Sequence, residues 1–381
     1  MEENAYANTR HMTWQNVALA YNNIFKKYVD LSEKYGIKIP KVDLNHLLRL
    51  TDDFGVLQFV KNHEPQSSLG YSLDDNARAM IVCCMHYEAT KDLFTLELIK
   101  RYLNFIKYVQ QSDGKFYNFV DYKRNVNLNK WSEDAHGRAM WALGFLISLE
   151  EIPHELKEEA KKIFNNARYV IKKIKSPRAV AFTMLGLYFY NKIRPSSKNI
   201  KEIKRFGDYL VNLYKDCSSS EWQWFEEYLT YSNSKLPEAL FYAYLATKDK
   251  KYLGIARSCL DFLSMTTIEN GMFAPVGQNG WYMKDGQKAH FDQQPVDTAS
   301  MVQTLLLANK ITKHKSYLKD ALTVFQWFLG RNCLNRMVYD EITGGCHDGI
   351  GEFSVNLNQG AESTICYLMA RLELKRNNLT F

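Results

Sequence analysis

The sequence predicts an all-α fold, six helical hairpins closed into an (α/α)6 toroid over residues 1–381, and three observations predict it. Helical apolar periodicity fills the chain from residue 14 to about 374. One-sided, lysine-rich segments alternate with segments that are apolar nearly all round. Long β-type alternation is absent.

The first one-sided pattern runs through Trp14, Val17, Ala18, Tyr21, Ile24, Phe25 and Tyr28 and stops at Gly36. Similar segments recur at 93–111, 154–174, 197–215, 249–265 and 315–330, which read as outer helices. Between them lie 77–87, 137–149, 178–190, 238–246, 298–308 and 361–372. A helix apolar on every side must be buried on every side, so these six read as inner helices. Internal repetition supports the scheme: LDDNARAM, EDAHGRAM and SPRAV each open an inner segment with Arg-Ala.

Composition narrows the function. Hydrophobic residues are 46% and charged residues 24%, which is globular. The net charge of +7 comes from lysines spread along solvated helix faces, without a basic run or a nucleic-acid motif, so no nucleic-acid partner is expected. Seven cysteines without CxxC or Cys/His spacing argue against a disulfide framework and a zinc site. No metal or other cofactor is expected; GIG at 349–351 is too short for a nucleotide loop. The N-terminus lacks a leader pattern and no 18-residue apolar run occurs, so no membrane partner is expected. The expected location is cytoplasmic, or periplasmic for a chain trimmed of a leader.

Loop length shows where chemistry would sit. Inner-to-outer connections near 91, 151, 193, 248 and 311 are short, whereas 37–73, 112–133, 216–234, 266–294 and 331–359 are long. Alternating helix direction puts every long loop and every inner-helix N-terminus on one rim. Asp75, Glu133, Asp134, Glu226, Glu227 and Glu362 are the candidate acid and base residues there. Candidate substrate contacts are Asp53, Tyr71, Trp131, His136, Trp222, Trp224, Trp281, His290, Asp292, Gln293, Gln294, Asp297, His347, Asp348, Asn358 and Gln359. An acid at a helix start often only caps it. Adjacent acids beside tryptophans go further, because indoles stack on the C–H faces of pyranoses and carboxyl pairs drive glycosidic cleavage. The i,i+4 pairs Asp74/Arg78 and Asp134/Arg138 are expected to orient their helix starts.

The run LLRLTDDFGVLQFVKNHEP, then GYSLDDNARAM, WSEDAHGRAMWALG, SPRA, FDQQPVD, CHDG and NQGAES, resembles a bacterial group of six-hairpin glycosidase-like proteins over about residues 45–372. Members of the group occur alone or attached to glycosyltransferase domains, so the resemblance implies an oligosaccharide or polysaccharide partner and association with a glycosyltransferase. By that likeness the expected activity is an inverting glycoside hydrolase, using Asp75, Glu133 or Asp134, Glu226 or Glu227, and Glu362. A polysaccharide lyase or sugar epimerase moving a proton with Tyr and His is the first alternative. A non-catalytic glycan-binding toroid is the second.

Overall fold

A computed structural model of the chain describes residues 9, 12–25, 38–129 and 131–379. The inner helices are α3 (Leu73–Thr90), α5 (Glu133–Ser148), α7 (Pro177–Ile193), α9 (Lys235–Thr247), α11 (Pro295–Thr312) and α13 (Ala361–Arg376). Each packs on the next, and α13 packs back on α3, so the ring is closed. The outer helices α4 (Leu93–Val109), α6 (His154–Ala167), α8 (Ser197–Cys217), α10 (Lys250–Thr267) and α12 (Lys315–Phe325) pack on the inner helices they follow. Two further helices among the described residues are α1 (Trp14–Phe25) and the single turn α2 (Asn45–Arg49).

The inner and outer roles follow from burial. Every residue of α5 from Ala135 to Ser148 is buried, whereas α6 buries only Ala160, Ile163, Phe164 and Ala167. Small residues let α5 and α7 touch backbone to backbone. A Cβ built on Gly144 would lie 2.3 Å from the Gly186 carbonyl oxygen, and one on Gly186 would lie 2.3 Å from that of Met140. Helix starts are set by local chemistry. The hydroxyls of Ser72 and Ser132 accept from the amides of Asp75 and Ala135 at 3.1 and 3.2 Å, and proline opens α7 and α11.

The expected long loops are present on one rim and are tied together. Strands β3 (Tyr71–Ser72) and β4 (Phe119–Val120) join the first two loops, while β5 (Tyr228–Leu229) pairs with β8 (Tyr282–Met283) to join the third and fourth. Gln293 and Ile350 exchange backbone hydrogen bonds at 2.9 Å, which ties the fourth loop to the fifth. Four shorter hairpins complete the rim: β1 (Val60–Lys61) with β2 (Glu64–Pro65), β6 (Ile268–Glu269) with β7 (Met272–Phe273), β9 (Tyr339–Asp340) with β10 (Gly345–Cys346), and β11 (Gly349–Ile350) with β12 (Val355–Asn356).

Two outer patterns depart from expectation. The 154–174 pattern breaks after Ala167 into a short 3-10 turn, Ile171–Lys173. In α1, Trp14 is 87% exposed, and Tyr21, Ile24 and Phe25 are exposed too. This helix meets the ring along another edge, where Asn16 Oδ1 accepts from the Met337 amide at 3.0 Å and Leu19 lies against Gly330. Tyr28 and Gly36 fall outside the described residues. Among the described residues no helix is long and apolar enough to cross a membrane, and no group of three or more His, Cys, Asp or Glu is placed to hold a metal.

Candidate active site

The site is a belt of ion pairs and hydrogen bonds linking the starts of the inner helices. Ser72 caps α3 and also donates its hydroxyl to Asp75 Oδ2 at 2.6 Å. One turn further along, Arg78 Nη2 donates to Asp75 Oδ1 at 3.1 Å and to Glu362 Oε2 on α13 at 2.6 Å. On α5, Arg138 Nη1 lies 3.2 Å from Asp74 Oδ1, and Asn118 donates to the other Asp74 oxygen at 3.0 Å. The expected i,i+4 pairs are thus replaced: Arg78 takes Asp75 three residues before it and Glu362 from α13, and Arg138 takes Asp74 from α3.

Next around the belt, Asp134 accepts from the Ser176 hydroxyl at 3.0 Å and the Tyr231 hydroxyl at 2.5 Å. Arg178, at the start of α7, donates to the Tyr231 carbonyl at 2.6 Å, Glu226 Oε2 at 2.8 Å and Asn233 Oδ1 at 3.0 Å. Its guanidinium also sits 5.0 Å from the Tyr231 ring centroid. Asp297, on the first turn of α11, accepts from the Ser232 amide at 2.7 Å.

The carboxyls in this belt have opposed environments. Burial pushes Asp75 up to about 6, with the Glu362 charge adding to the effect and Arg78 opposing it. Burial likewise pushes Asp297 up to about 7; the Ser232 amide and Arg178 oppose, and Glu362 adds. Burial raises Asp348 as well. Desolvation pulls Glu362 upward too, yet Arg78 and Arg138 outweigh it and hold this carboxyl below the usual range. Its side chain is nevertheless 45% exposed. Glu362 is therefore a fixed charge open to the mouth.

Other expected site residues do different work. Glu133 Oε2 accepts from the amides of Lys175 and Ser176, both at 2.7 Å, so it caps the start of α7. Glu226 joins the belt, but its neighbour Glu227 is exposed. Trp222 and Trp224 are buried against Phe262 and cover the end of the core, so neither offers a ring face to a ligand. His136 is buried between Phe116 and Trp131, and burial pushes it down to about 4, with the Ala167 carbonyl opposing. Trp131 and Trp281 are half-buried.

The amide residues mainly anchor loops. Gln293 accepts from Trp327 Nε1 at 2.8 Å and donates to the His290 carbonyl at 2.9 Å, and Gln294 donates to Gln278. Asn358 accepts from the Asn62 amide at 2.8 Å, and Gln359 donates to Asp340 at 3.0 Å. Asp348 accepts from the Gly360 amide at 2.8 Å and the Ser363 hydroxyl at 2.7 Å, which caps α13. His347 Nδ1 is 3.1 Å from the Leu357 carbonyl. Tyr71 donates to Asp52 at 2.5 Å, while Asp53 is exposed and pairs with Arg124 at 2.7 Å. His290 and Asp292 are exposed on the fourth loop.

Site residues that the sequence does not single out are Arg178, Lys235 and Gln303. A signal was available for two of them, since Lys235 opens an apolar inner helix and Gln303 interrupts one.

No protein-family model matches the chain, and no curated protein sequence matches it. Solved structures do. Cellobiose 2-epimerase from Bacillus thermoamylovorans superposes with a TM-score of 0.69 at 13% identity, over 88% of this chain and 95% of that one. A D-mannose isomerase gives 0.66 at 12% identity over 87% and 96%, and the GH76 α-mannanase of Bacteroides thetaiotaomicron gives 0.59 at 13% over 81% and 88%. The chain therefore has the (α/α)6 toroid fold. At these identities the likeness carries the fold alone.

Proposed function

We propose that residues 1–381 act as one toroidal domain of a carbohydrate-active enzyme, and that the enzyme is an inverting glycoside hydrolase acting on an oligosaccharide. The observation that carries this reading is the contrast between Glu362 and Asp297 on adjacent inner helices. Glu362 is held ionised and is open to solvent, which suits a base that activates water. Asp297 is buried and pushed up to about 7, which suits an acid that protonates the leaving oxygen at neutral pH. Titratable groups pushed apart by their surroundings are the usual mark of an acid and base division.

The test is turnover of an oligosaccharide panel, with the anomer of the first product read by NMR. Inverted product from the wild type and none from Glu362→Gln supports the reading. Retained configuration, or full activity in Glu362→Gln, overturns it.

A second reading, a sugar epimerase, is favoured by one observation: the Tyr231 hydroxyl meets Asp134 at 2.5 Å beside Arg178 and offers a proton relay. Deuterium entering the sugar carbon next to the carbonyl in D2O would select it over hydrolysis.

A further inference from the structure

Just inside the mouth lies a cavity on the ring axis whose lining is chemically one-sided. Arg78, Arg138 and Lys235 line it with Trp141, Phe182 and Gln303. The rest of the lining is hydroxyl, thiol or aliphatic, and no carboxylate belongs to it. The three cations are only 4%, 6% and 3% exposed, and burying charge in this way is costly unless each is held by an opposite charge.

Such charges exist, but none of them lines the cavity. Asp75 and Glu362 hold Arg78, Asp74 holds Arg138, and Glu238 holds Lys235 at 2.7 Å. Gln303 Oε1 accepts from the same ammonium at 2.8 Å. These partners fix the direction of each cation and leave donors for the cavity. Arg138 makes no hydrogen bond among the described residues beyond its ion pair with Asp74, and its guanidinium rests 4.6 Å from the Phe182 ring centroid. Trp141 and Phe182 are stacked 5.9 Å apart at 14°, giving an apolar wall beside the donors.

We infer that this cavity takes a planar oxyanion, and that the substrate is an acidic sugar whose carboxylate enters it. This rests on the sugar-enzyme reading of the mouth. A guanidinium fork matches a carboxylate geometrically, and the Arg138 donors left over beyond the Asp74 ion pair are the ones that would meet it.

The experiment is calorimetric titration at fixed ionic strength with glucuronate, galacturonate, glucose, galactose and inorganic sulfate. The proteins are the wild type, Arg138→Gln, Arg138→Lys and the double variant Lys235→Met/Glu238→Gln, which leaves no buried charge unpaired. The wild type is expected to bind the uronates at least about 10-fold more tightly than the matching hexoses, about 1.4 kcal/mol. Arg138→Gln and the double variant lose that preference, while Arg138→Lys keeps part of it; thermal melting confirms that each is folded. Equal binding of uronate and hexose by the wild type overturns the inference, and so does a preference that survives in Arg138→Gln. Sulfate binding as tightly as uronate overturns the sugar-acid assignment. Uronate preference without turnover of any glycan would remove the enzyme reading and keep the anion site. Turnover of neutral oligosaccharides without uronate preference would do the reverse.

Discussion

Arg78 and Glu362 are 284 residues apart in the chain and meet at 2.6 Å across the seam where the last inner helix closes on the first. The same Arg78 nitrogen holds Asp75 at 3.1 Å, so one guanidinium sets the positions of two candidate catalytic carboxyls. The contact that closes the ring also fixes part of the mouth.

Glu362→Gln is expected to lower kcat by about 10²- to 10⁴-fold, the range that general acid and base groups supply. Its effect on stability should be small, because the side chain is 45% exposed and the amide can still accept from Arg78. Steady-state kinetics beside urea unfolding checks both halves; a large loss of stability with unchanged kcat would make Glu362 a structural residue.

Asp75 and Asp297 bind protons more tightly in the folded chain, at about 6 and about 7, than their ordinary value of 3.8 allows. The stabilisation linked to this proton uptake is fully present below about pH 4 and is lost as pH rises through 6 and then 7. Asp297→Asn has no proton to lose there, so its stability should fall less than the wild type's between pH 4 and 7.5. The difference is on the order of a few kcal/mol. Urea unfolding at several pH values measures it, and parallel curves would remove Asp297 from this role. If Asp297 is the acid, activity also declines above about pH 7.

Glu133→Ala removes a carboxylate that two amides at the start of α7 donate to. The expected cost is about 1 kcal/mol of stability, as for other helix caps. Turnover should stay within a few-fold of the wild type. A loss matching that of Glu362→Gln would move Glu133 from cap to chemistry.

Gly186→Ala places a methyl group 2.3 Å from the Met140 carbonyl oxygen, a backbone atom that cannot turn aside. Overpacking of this kind costs about 1–3 kcal/mol. The thermal midpoint should fall, and Gly144→Ala, on the other side of the same contact, should lower it by a similar amount. An unchanged midpoint would show that α5 and α7 can part without penalty.

The sequence by itself determined the order of helices and the end of the ring that carries the polar loops. A helix apolar on all sides has only one stable place, and loop length then fixes which ends face the same way. Tertiary structure alone decided which side chains share the mouth. Glu133 and Asp134 are adjacent, yet successive helix residues differ in direction by about 100°, so one caps α7 while the other meets Tyr231. Arg78 finds Glu362 in addition to Asp75 on its own helix, and Trp222 and Trp224 sink into the core, because partners distant in the chain arrive only when the ring closes. The environments that separate Glu362 from Asp297 come from burial and neighbouring charge, which a pattern of residue types does not contain.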